Sequence, residues 1–138
     1  MSKYVWTRNS SRVRCFASKE NLARQFANVI YEITKIFPDN ERYGLSQQIR
    51  RSSFSVMLNI AEGSAKNSDP DFTRFLNIAR GSLEETISGL YLSLDLKYIN
   101  EKQFNFIYDS SHLVSKKINA LIKSLKNKTS ENTQTLVF

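Results

Sequence analysis

Two adjacent arginines, Arg50 and Arg51, are the side chains whose type best suits binding chemistry. A guanidinium group holds a phosphate or a carboxylate through two parallel hydrogen bonds. Neighbouring residues on a helix point about 100° apart, so the two arginines cannot face the same partner. One reading is that the outward-facing arginine contacts phosphate. The other is an ion pair with Glu62 or Glu84, which would fix the register of helices or subunits.

A further polar group surrounds Glu62. Asn59 lies three residues before it, so both side chains project from nearly the same face of a helix, beside an apolar stripe. Polar groups in such positions bond to each other or to a neighbouring backbone. Ser82 follows a glycine, and such a small pair would let two helices come close together. We predict a structural or oligomer-forming polar motif made up of Arg50, Asn59, Glu62, Ser82 and Glu84.

These residues do not suggest an enzyme. Glu62 has no second acid, no histidine partner and no Glu-x-x-His pair, which argues against acid–base catalysis and a metal centre. No base is identifiable for Ser82, and His112 has no partner at metal-binding spacing. Cys15 is the only cysteine and has no histidine nearby. We predict no enzymatic activity, cofactor or metal site, and a reducing, cytoplasmic location.

The first seventeen residues mix cations with aromatic rings and contain no acid. The cations are Lys3, Arg8, Arg12 and Arg14, and the rings are Tyr4, Trp6 and Phe16. Such a mixture could stack on bases and neutralise phosphates of single-stranded nucleic acid. The alternative is that the rings dock on the rest of the domain or on a neighbouring subunit.

Charge is distributed unevenly along the chain. The protein has 20 Lys and Arg against 13 Asp and Glu, a formal net charge of +7. The excess falls in residues 1–17, in 42–66 and in 100–126, where Lys116, Lys117 and Lys123 stand out. Such a field attracts polyanions such as RNA through their phosphates, independently of sequence. The alternative is a solvated surface without a ligand.

Apolar periodicity predicts four helices and an all-α domain. Residues recur at spacings of three and four from Leu22 to Ile36, from Leu45 to Ile60, from Phe72 to Leu94 and from Phe104 to Leu125. Because the links between these segments are short, consecutive helices are expected to lie antiparallel in an up-down-up-down four-helix bundle. We predict a basic N-terminal arm over residues 1–17, the bundle over 18–126 and a flexible C-terminal tail over 127–138.

Local signals mark the helix ends. Ser18 is a candidate first cap, and Pro38 would stop the first helix after about Phe37. Gly63 suggests the end of the second helix. Asp69 as a cap with Pro70 at the first helical position predicts the start of the third. Asn100 with Gln103 resembles a capping box at the start of the fourth.

Five sequence blocks carry a resemblance to a known family. They are Phe37-Pro38, Glu41-Arg42-Tyr43-Gly44-Leu45, Gln48-Ile49-Arg50-Arg51-Ser52, Asn59-Ile60-Ala61-Glu62-Gly63 and Gly81-Ser82-Leu83-Glu84-Glu85. With these blocks the chain resembles, over about residues 20–125, a bacterial four-helix bundle family known from open reading frames within intervening sequences of 23S ribosomal RNA. The resemblance implies a bundle that forms homopentamers. Relatives include an accessory protein of diversity-generating retroelements that engages a reverse transcriptase and nucleic acid.

The sequence therefore predicts a non-enzymatic homo-oligomer that binds RNA or another nucleic acid and does not enter a membrane. The candidate nucleic-acid contacts are Lys3, Arg8, Arg12, Arg14, Arg50, Arg51, Lys116, Lys117 and Lys123. The alternative is a scaffold for a protein partner, without a role in nucleic-acid binding.

Overall fold

The computed structural model describes the backbone of residues 10–136 and the side chains of residues 21–131, 133 and 134. Within this part the chain forms α1 (Ser10–Ile33), α2 (Leu45–Ser64), α3 (Asp69–Asp95) and α4 (Glu101–Leu136). Short 3₁₀ turns, Thr34–Ile36 and Asp39–Glu41, lie between α1 and α2. Helix α1 packs against α2 and α4, and α3 packs against the same two helices. The predicted all-α four-helix bundle is confirmed.

Contacts between neighbouring helices show how they run. On α3 and α4, Tyr91 meets Phe104 with ring centroids 4.7 Å apart, and Arg80 bonds to Asn119. A lower number on one helix therefore pairs with a higher number on the other, as antiparallel helices require. The pairs Ser52–Thr86 and Ser55–Ser82 show the same relation for α2 and α3.

The core is a continuous apolar cluster along the bundle axis. Its fully buried side chains include Phe26 and Ile30 on α1, Ile49 on α2, Leu83 on α3 and Ile107 on α4. The predicted stripes on α2, α3 and α4 face this core. On α1 the buried stripe centres on Phe26 and Ile30, whereas Ile36 is 56% exposed. The prediction was wrong there because the α-helix ends at Ile33, and the 3₁₀ turn that follows rotates Ile36 outward.

Two helices extend further than predicted. Helix α1 begins at Ser10 rather than Ser18, and α4 continues to Leu136 instead of ending near Lys126. No Gly or Pro interrupts either extension. On α4, the hydroxyls of Thr129, Ser130 and Thr133 each donate to the carbonyl four residues earlier, so these polar side chains are satisfied within the helix. The division into arm, bundle and tail stays a prediction.

The caps at three helix ends can be compared with their sequence signals. The capping box is confirmed: the Gln103 amide donates to Asn100 Oδ1 at 2.8 Å, and the Asn100 amide donates to Gln103 Oε1 at 2.9 Å. The cap of α3 is Ser68, which accepts from the Asp71 amide, so the choice of Asp69 was one residue late. Helix α2 ends at Ser64, one residue after Gly63, so the predicted position of the end is close. Gly63 itself lies inside the helix without positive φ, so it does not act as a left-handed cap.

Glu41 joins the two links at one end of the bundle. Its Oε2 accepts from the Leu45 amide at 2.9 Å and satisfies a free donor at the start of α2. Its Oε1 accepts from the Tyr98 hydroxyl at 3.1 Å, and the Tyr98 ring contacts Phe37 with centroids 5.4 Å apart. Burial, together with the Glu41 carboxylate, raises the pKa of the Tyr98 phenol. This carboxylate therefore fixes the α1–α2 link against the α3–α4 link.

Candidate polyanion-binding surface

The partner of Arg50 is Thr34, rather than Glu62 or Glu84. Arg50 Nε donates to Thr34 Oγ1 at 2.7 Å, and the Thr34 hydroxyl donates to the Ile30 carbonyl at 2.8 Å. The guanidinium also lies over the Tyr31 ring, with Cζ 5.3 Å from the centroid. Arg50 is half-buried and joins α2 to the end of α1. Its geometry suits helix attachment better than capture of a ligand.

Arg51 points in a different direction from its neighbour. It is exposed on the outer side of α2, as the 100° rotation between adjacent residues requires. The two arginines thus have separate environments. Of the pair, Arg51 is the one whose guanidinium is open to a ligand.

Polar side chains form a seam between α2 and α3. Ser52 Oγ and Thr86 Oγ1 lie 2.7 Å apart, and Ser55 Oγ and Ser82 Oγ lie 2.9 Å apart. Asn59 Nδ2 donates to the Ser55 carbonyl at 2.8 Å. The predicted motif residues Asn59 and Ser82 are therefore linked through Ser55 within one chain, at the interface of two helices.

Close approach of these two helices depends on glycine. A methyl carbon added at Gly63 would lie 2.7 Å from Phe75 Cβ, and one added at Gly89 would lie 2.6 Å from Ile49 Cγ1. Both distances are shorter than van der Waals contact. Gly63 therefore has a packing role that its position near the helix end concealed.

The two glutamates of the predicted motif lie outside this seam. Glu62 is exposed and forms an ion pair with Lys66 at 3.2 Å. Glu84 is exposed on α3. The structure thus links Asn59 and Ser82 through Ser55 and leaves Glu62, Glu84 and Arg50 in three other places.

The predicted lysines lie on α4 and divide between two sides. Lys116, Lys117 and Lys123 are all exposed. Lys116 and Lys123 lie three residues before and four residues after Asn119, so the three share one side of the helix. Lys117 is rotated about 100° from Lys116, and it borders a small pocket with Ile60 and Leu121.

The N-terminal candidates are only partly within the described residues. Arg12 and Arg14 lie in the first turns of α1, and their side chains are outside the described set. Lys3 and Arg8, as well as the aromatic residues Tyr4 and Trp6, precede the described residues altogether. Their proposed nucleic-acid contacts stay predictions.

An arginine that the sequence analysis did not single out lies between α3 and α4. Arg80 Nη2 donates to Asn77 Oδ1 at 2.9 Å, and Nη1 donates to Asn119 Oδ1 at 3.3 Å. Arg80, Asn77 and Asn119 are all exposed. The i, i+3 spacing of Asn77 and Arg80 was a local signal, but the contact with Asn119 depends on the register of α3 against α4.

The helix pairings divide the bundle into two halves of different charge. The pair Ser55–Ser82 lies near the middle. We define the basic half as residues 10–27, 55–82 and 115–136, and the acidic half as residues 28–54 and 83–114. Among side chains 21–131, the basic half has nine Lys and Arg against four Asp and Glu, whereas the acidic half has six against eight. The nine are Arg24, Lys66, Arg74, Arg80, Lys116, Lys117, Lys123, Lys126 and Lys128.

The described residues contain neither a candidate metal centre nor a membrane-spanning helix. Over this part of the chain, His, Cys, Asp and Glu side chains do not gather in groups of three or more that could hold a metal ion. No helix there combines the length and the apolar character needed to cross a membrane.

Comparison with known proteins connects this architecture to a family. A family model described as 23S rRNA-intervening sequence protein matches residues 20–120. A solved structure from Bacteroides thetaiotaomicron, of a protein with unknown function from the S23 ribosomal protein family, is 29% identical with a TM-score of 0.73. The match covers 79% of this chain and 98% of that one. A search of curated proteins found no match. Since the family model spans most of the bundle, the chain belongs to the 23S rRNA-intervening sequence protein family.

Proposed function

We propose that this protein is a non-catalytic, homo-oligomeric bundle that binds RNA through its basic half. The observation that carries the proposal is the separation of charge along the bundle axis, with nine Lys and Arg against four Asp and Glu in one half of the described side chains. Phosphate groups supply a sequence-independent electrostatic attraction to such a surface. The predicted basic N-terminal segment would add to it.

The mechanism is electrostatic capture. Each Lys or Arg that neutralises a phosphate releases condensed counterions, and the binding constant therefore falls as salt rises. The surface cations stand on rigid helices, which limits the ordering needed on binding. We expect little discrimination between base sequences, because contacts with phosphates position a strand without reading its bases.

A salt titration tests this function. Binding of full-length protein to single-stranded and structured RNA, with duplex DNA as a control, is measured between about 50 and 200 mM salt. The proposal expects tight binding at low salt and a steep, linear fall of log K with log salt. A version lacking residues 1–17 would measure the contribution of that segment, and a version lacking residues 1–9 would keep the whole of α1, which begins at Ser10. Absence of binding at low salt, or binding insensitive to salt, would refute RNA capture by charge.

Self-association is the second part of the proposal. Phe54 and Leu58 on α2 are 42% and 48% exposed, and Ile78 on α3 is 43% exposed. Exposed apolar side chains on neighbouring helices are typical of surfaces that bury themselves against another protein. The family resemblance implies five protomers. Light scattering should therefore give about five times the 15.9 kDa chain mass, and a monomer at micromolar concentration would contradict this part.

A protein partner other than a second copy is the alternative function. Phe106 and Leu113 on α4 are 66% and 54% exposed and lie in the acidic half, away from the main cluster of cations. Their i, i+7 spacing places them on one side of α4, a typical arrangement for helix docking. Retention of a partner by the acidic half, together with no RNA binding, would favour a scaffold. A cytoplasmic location stays a prediction under either function.

A further inference from the structure

The groove between α3 and α4 in the basic half contains an arginine with an unusual set of partners. Arg80 uses one Nη2 hydrogen for Asn77 Oδ1 at 2.9 Å and one Nη1 hydrogen for Asn119 Oδ1 at 3.3 Å. A guanidinium has five N–H donors, so most of its hydrogen-bonding capacity remains available. Asn77 is itself fixed, because its Nδ2 donates to the Thr73 carbonyl at 3.1 Å. Arg80 is thus oriented by both helices.

The partners of Arg80 are neutral. An amide oxygen accepts a hydrogen bond without cancelling the positive charge, whereas a carboxylate would cancel it. Lys66 shows the contrast, since Glu62 pairs with it at 3.2 Å. Arg50 differs from Arg80 in another way, because it is half-buried against Tyr31 and Thr34. Arg80 is exposed and held in place, and its bonds to Asn77 and Asn119 do not neutralise its charge.

Lysines of α4 extend this charge along the groove. Lys116 and Lys123 are on the same side of α4 as Asn119, one turn away in each direction. Lys126, also exposed, lies three residues beyond Lys123. At 1.5 Å per residue, Lys116 and Lys126 are separated by about 15 Å along the helix. The cations therefore form a line rather than a single point.

Acidic residues bound this line at both ends. Glu84 lies four residues after Arg80, on the same side of α3, toward the acidic half. At the other end, Asp69 lies eleven residues, or about three turns, before Arg80 on α3. Residues 115–130 of α4 contain no Asp or Glu, and Glu131 follows them. The positive charge of the groove is therefore confined to the stretch between these acids.

We propose that the α3–α4 groove, defined by Arg80, Asn119, Lys116, Lys123 and Lys126, binds consecutive phosphates of one RNA strand. The inference rests on the proposed RNA-binding function and assigns its phosphate contacts to one groove. A line of cations about 15 Å long matches a run of phosphates better than a single one, because each strand of a duplex carries one phosphate per about 3.4 Å of helix axis. Arg80 would grip one phosphate through its remaining N–H groups.

Paired substitutions of equal charge test the assignment. Lys116→Gln with Lys123→Gln removes two cations from the groove, and Lys35→Gln with Lys102→Gln removes two exposed cations from the acidic half. Binding to a labelled single-stranded oligouridylate is measured at several salt concentrations. We expect the groove pair to lower affinity about tenfold or more and to reduce the salt slope by about 1.4, since each contact with a single strand contributes about 0.7. The control pair should lower affinity less than about threefold.

A second pair of variants keeps every cation and changes only the partner of Arg80. Asn119→Asp places a carboxylate against the guanidinium with almost no change in shape, and Asn105→Asp adds the same charge on α4 in the acidic half. We expect Asn119→Asp to reduce affinity at least about fivefold, and Asn105→Asp less than about twofold. Circular dichroism confirms that each variant is folded.

The outcomes separate the two levels of the proposal. Wild-type binding that is equally sensitive to the groove pair and the control pair would overturn the groove and leave the RNA-binding function intact. No RNA binding by the wild-type protein at low salt would overturn both. A selective loss in the groove pair and in Asn119→Asp supports the assignment.

Discussion

The two halves of the bundle use their polar side chains differently. In the acidic half two charged side chains bond inward: Arg50 holds Thr34, and Glu41 joins the start of α2 to Tyr98. In the basic half the exposed cations outnumber the acids, and Arg80 has amide partners in place of carboxylates. Most other charged side chains are exposed in both halves, so the halves differ in the sign of their exposed charge and in the partners of these two arginines.

This difference shows why net charge alone is a poor guide to a binding surface. Arg50 and Arg80 are both arginines beside helix interfaces, and both count equally toward the net charge. Arg50 is half-buried and stacked on a ring, whereas Arg80 is exposed and oriented. Whether an arginine can bind a ligand depends on the groups to which its guanidinium is already bonded within the protein.

Substitutions in the apolar core should have the largest effect, and they test whether the two halves fold as one unit. Leu76 in the basic half and Leu90 in the acidic half are both fully buried. Leu76→Ala and Leu90→Ala should each lower the free energy of unfolding by about 3 kcal/mol through lost burial and cavity formation. Chemical denaturation with a single transition measures both. A loss under about 1 kcal/mol for Leu76→Ala alone would mean that the basic half does not share the core.

The two arginines should behave in opposite ways. Arg50→Ala removes the bond to Thr34 and the contact with Tyr31, so we expect a loss of about 1.5 kcal/mol of stability and RNA affinity within about twofold of wild type. Arg80→Gln should weaken RNA binding severalfold with stability almost unchanged. Denaturation curves and RNA-binding curves for both variants measure these opposite effects on stability and affinity. Equal effects of the two substitutions on binding would remove the distinction between the halves.

Helix caps should contribute equally in both halves, because capping is local. Ser68→Ala at the start of α3 and Asn100→Ala at the start of α4 each remove a side-chain acceptor for a free amide. Each should cost about 1 kcal/mol of unfolding free energy. Ser124→Ala, an exposed position within α4, is the control and should cost almost nothing. A cap effect confined to one half would indicate that the other end is frayed.

The smallest effect concerns pH. Because the folded pKa of Tyr98 is raised above its ordinary value of 10.0, the contribution of this phenol is fully present below pH 10. It is lost as the pH rises through the folded pKa. Tyr98→Phe should therefore be less stable than wild type near neutral pH, and the difference should shrink in alkaline solution. A difference that grows with pH would contradict the contact with Glu41.

The fold could be predicted largely from the sequence because its signals are local. The 27 residues of α3 keep one apolar spacing, and the Asn100–Gln103 box lies within four residues. The extensions of α1 and α4 were missed because polar composition suggested loops, although hydroxyls on α4 bond to their own helix. For these two extensions, composition was a weaker guide to the helix end than the absence of Pro.

The candidate site was harder to predict because it depends on register between helices. Arg80 and Asn119 are 39 residues apart, and nothing in either segment alone shows that they meet. Arg50 was recognised, but its partner Thr34 lies 16 residues away on another helix. The helix period alone shows that Lys116 and Lys117 lie on different sides of α4. The groove beside Lys116 can be identified only once the packing of α3 against α4 is known.

Photocrosslinking of the full-length protein to 4-thiouridine-containing single-stranded RNA, followed by peptide mass spectrometry, tests the central claim most directly. It works at any oligomeric state and reports which half touches the strand. The account predicts crosslinked peptides from residues 69–82 and 115–136, with loss of those crosslinks at high salt. Crosslinks concentrated in residues 28–54 or 83–114 would contradict it.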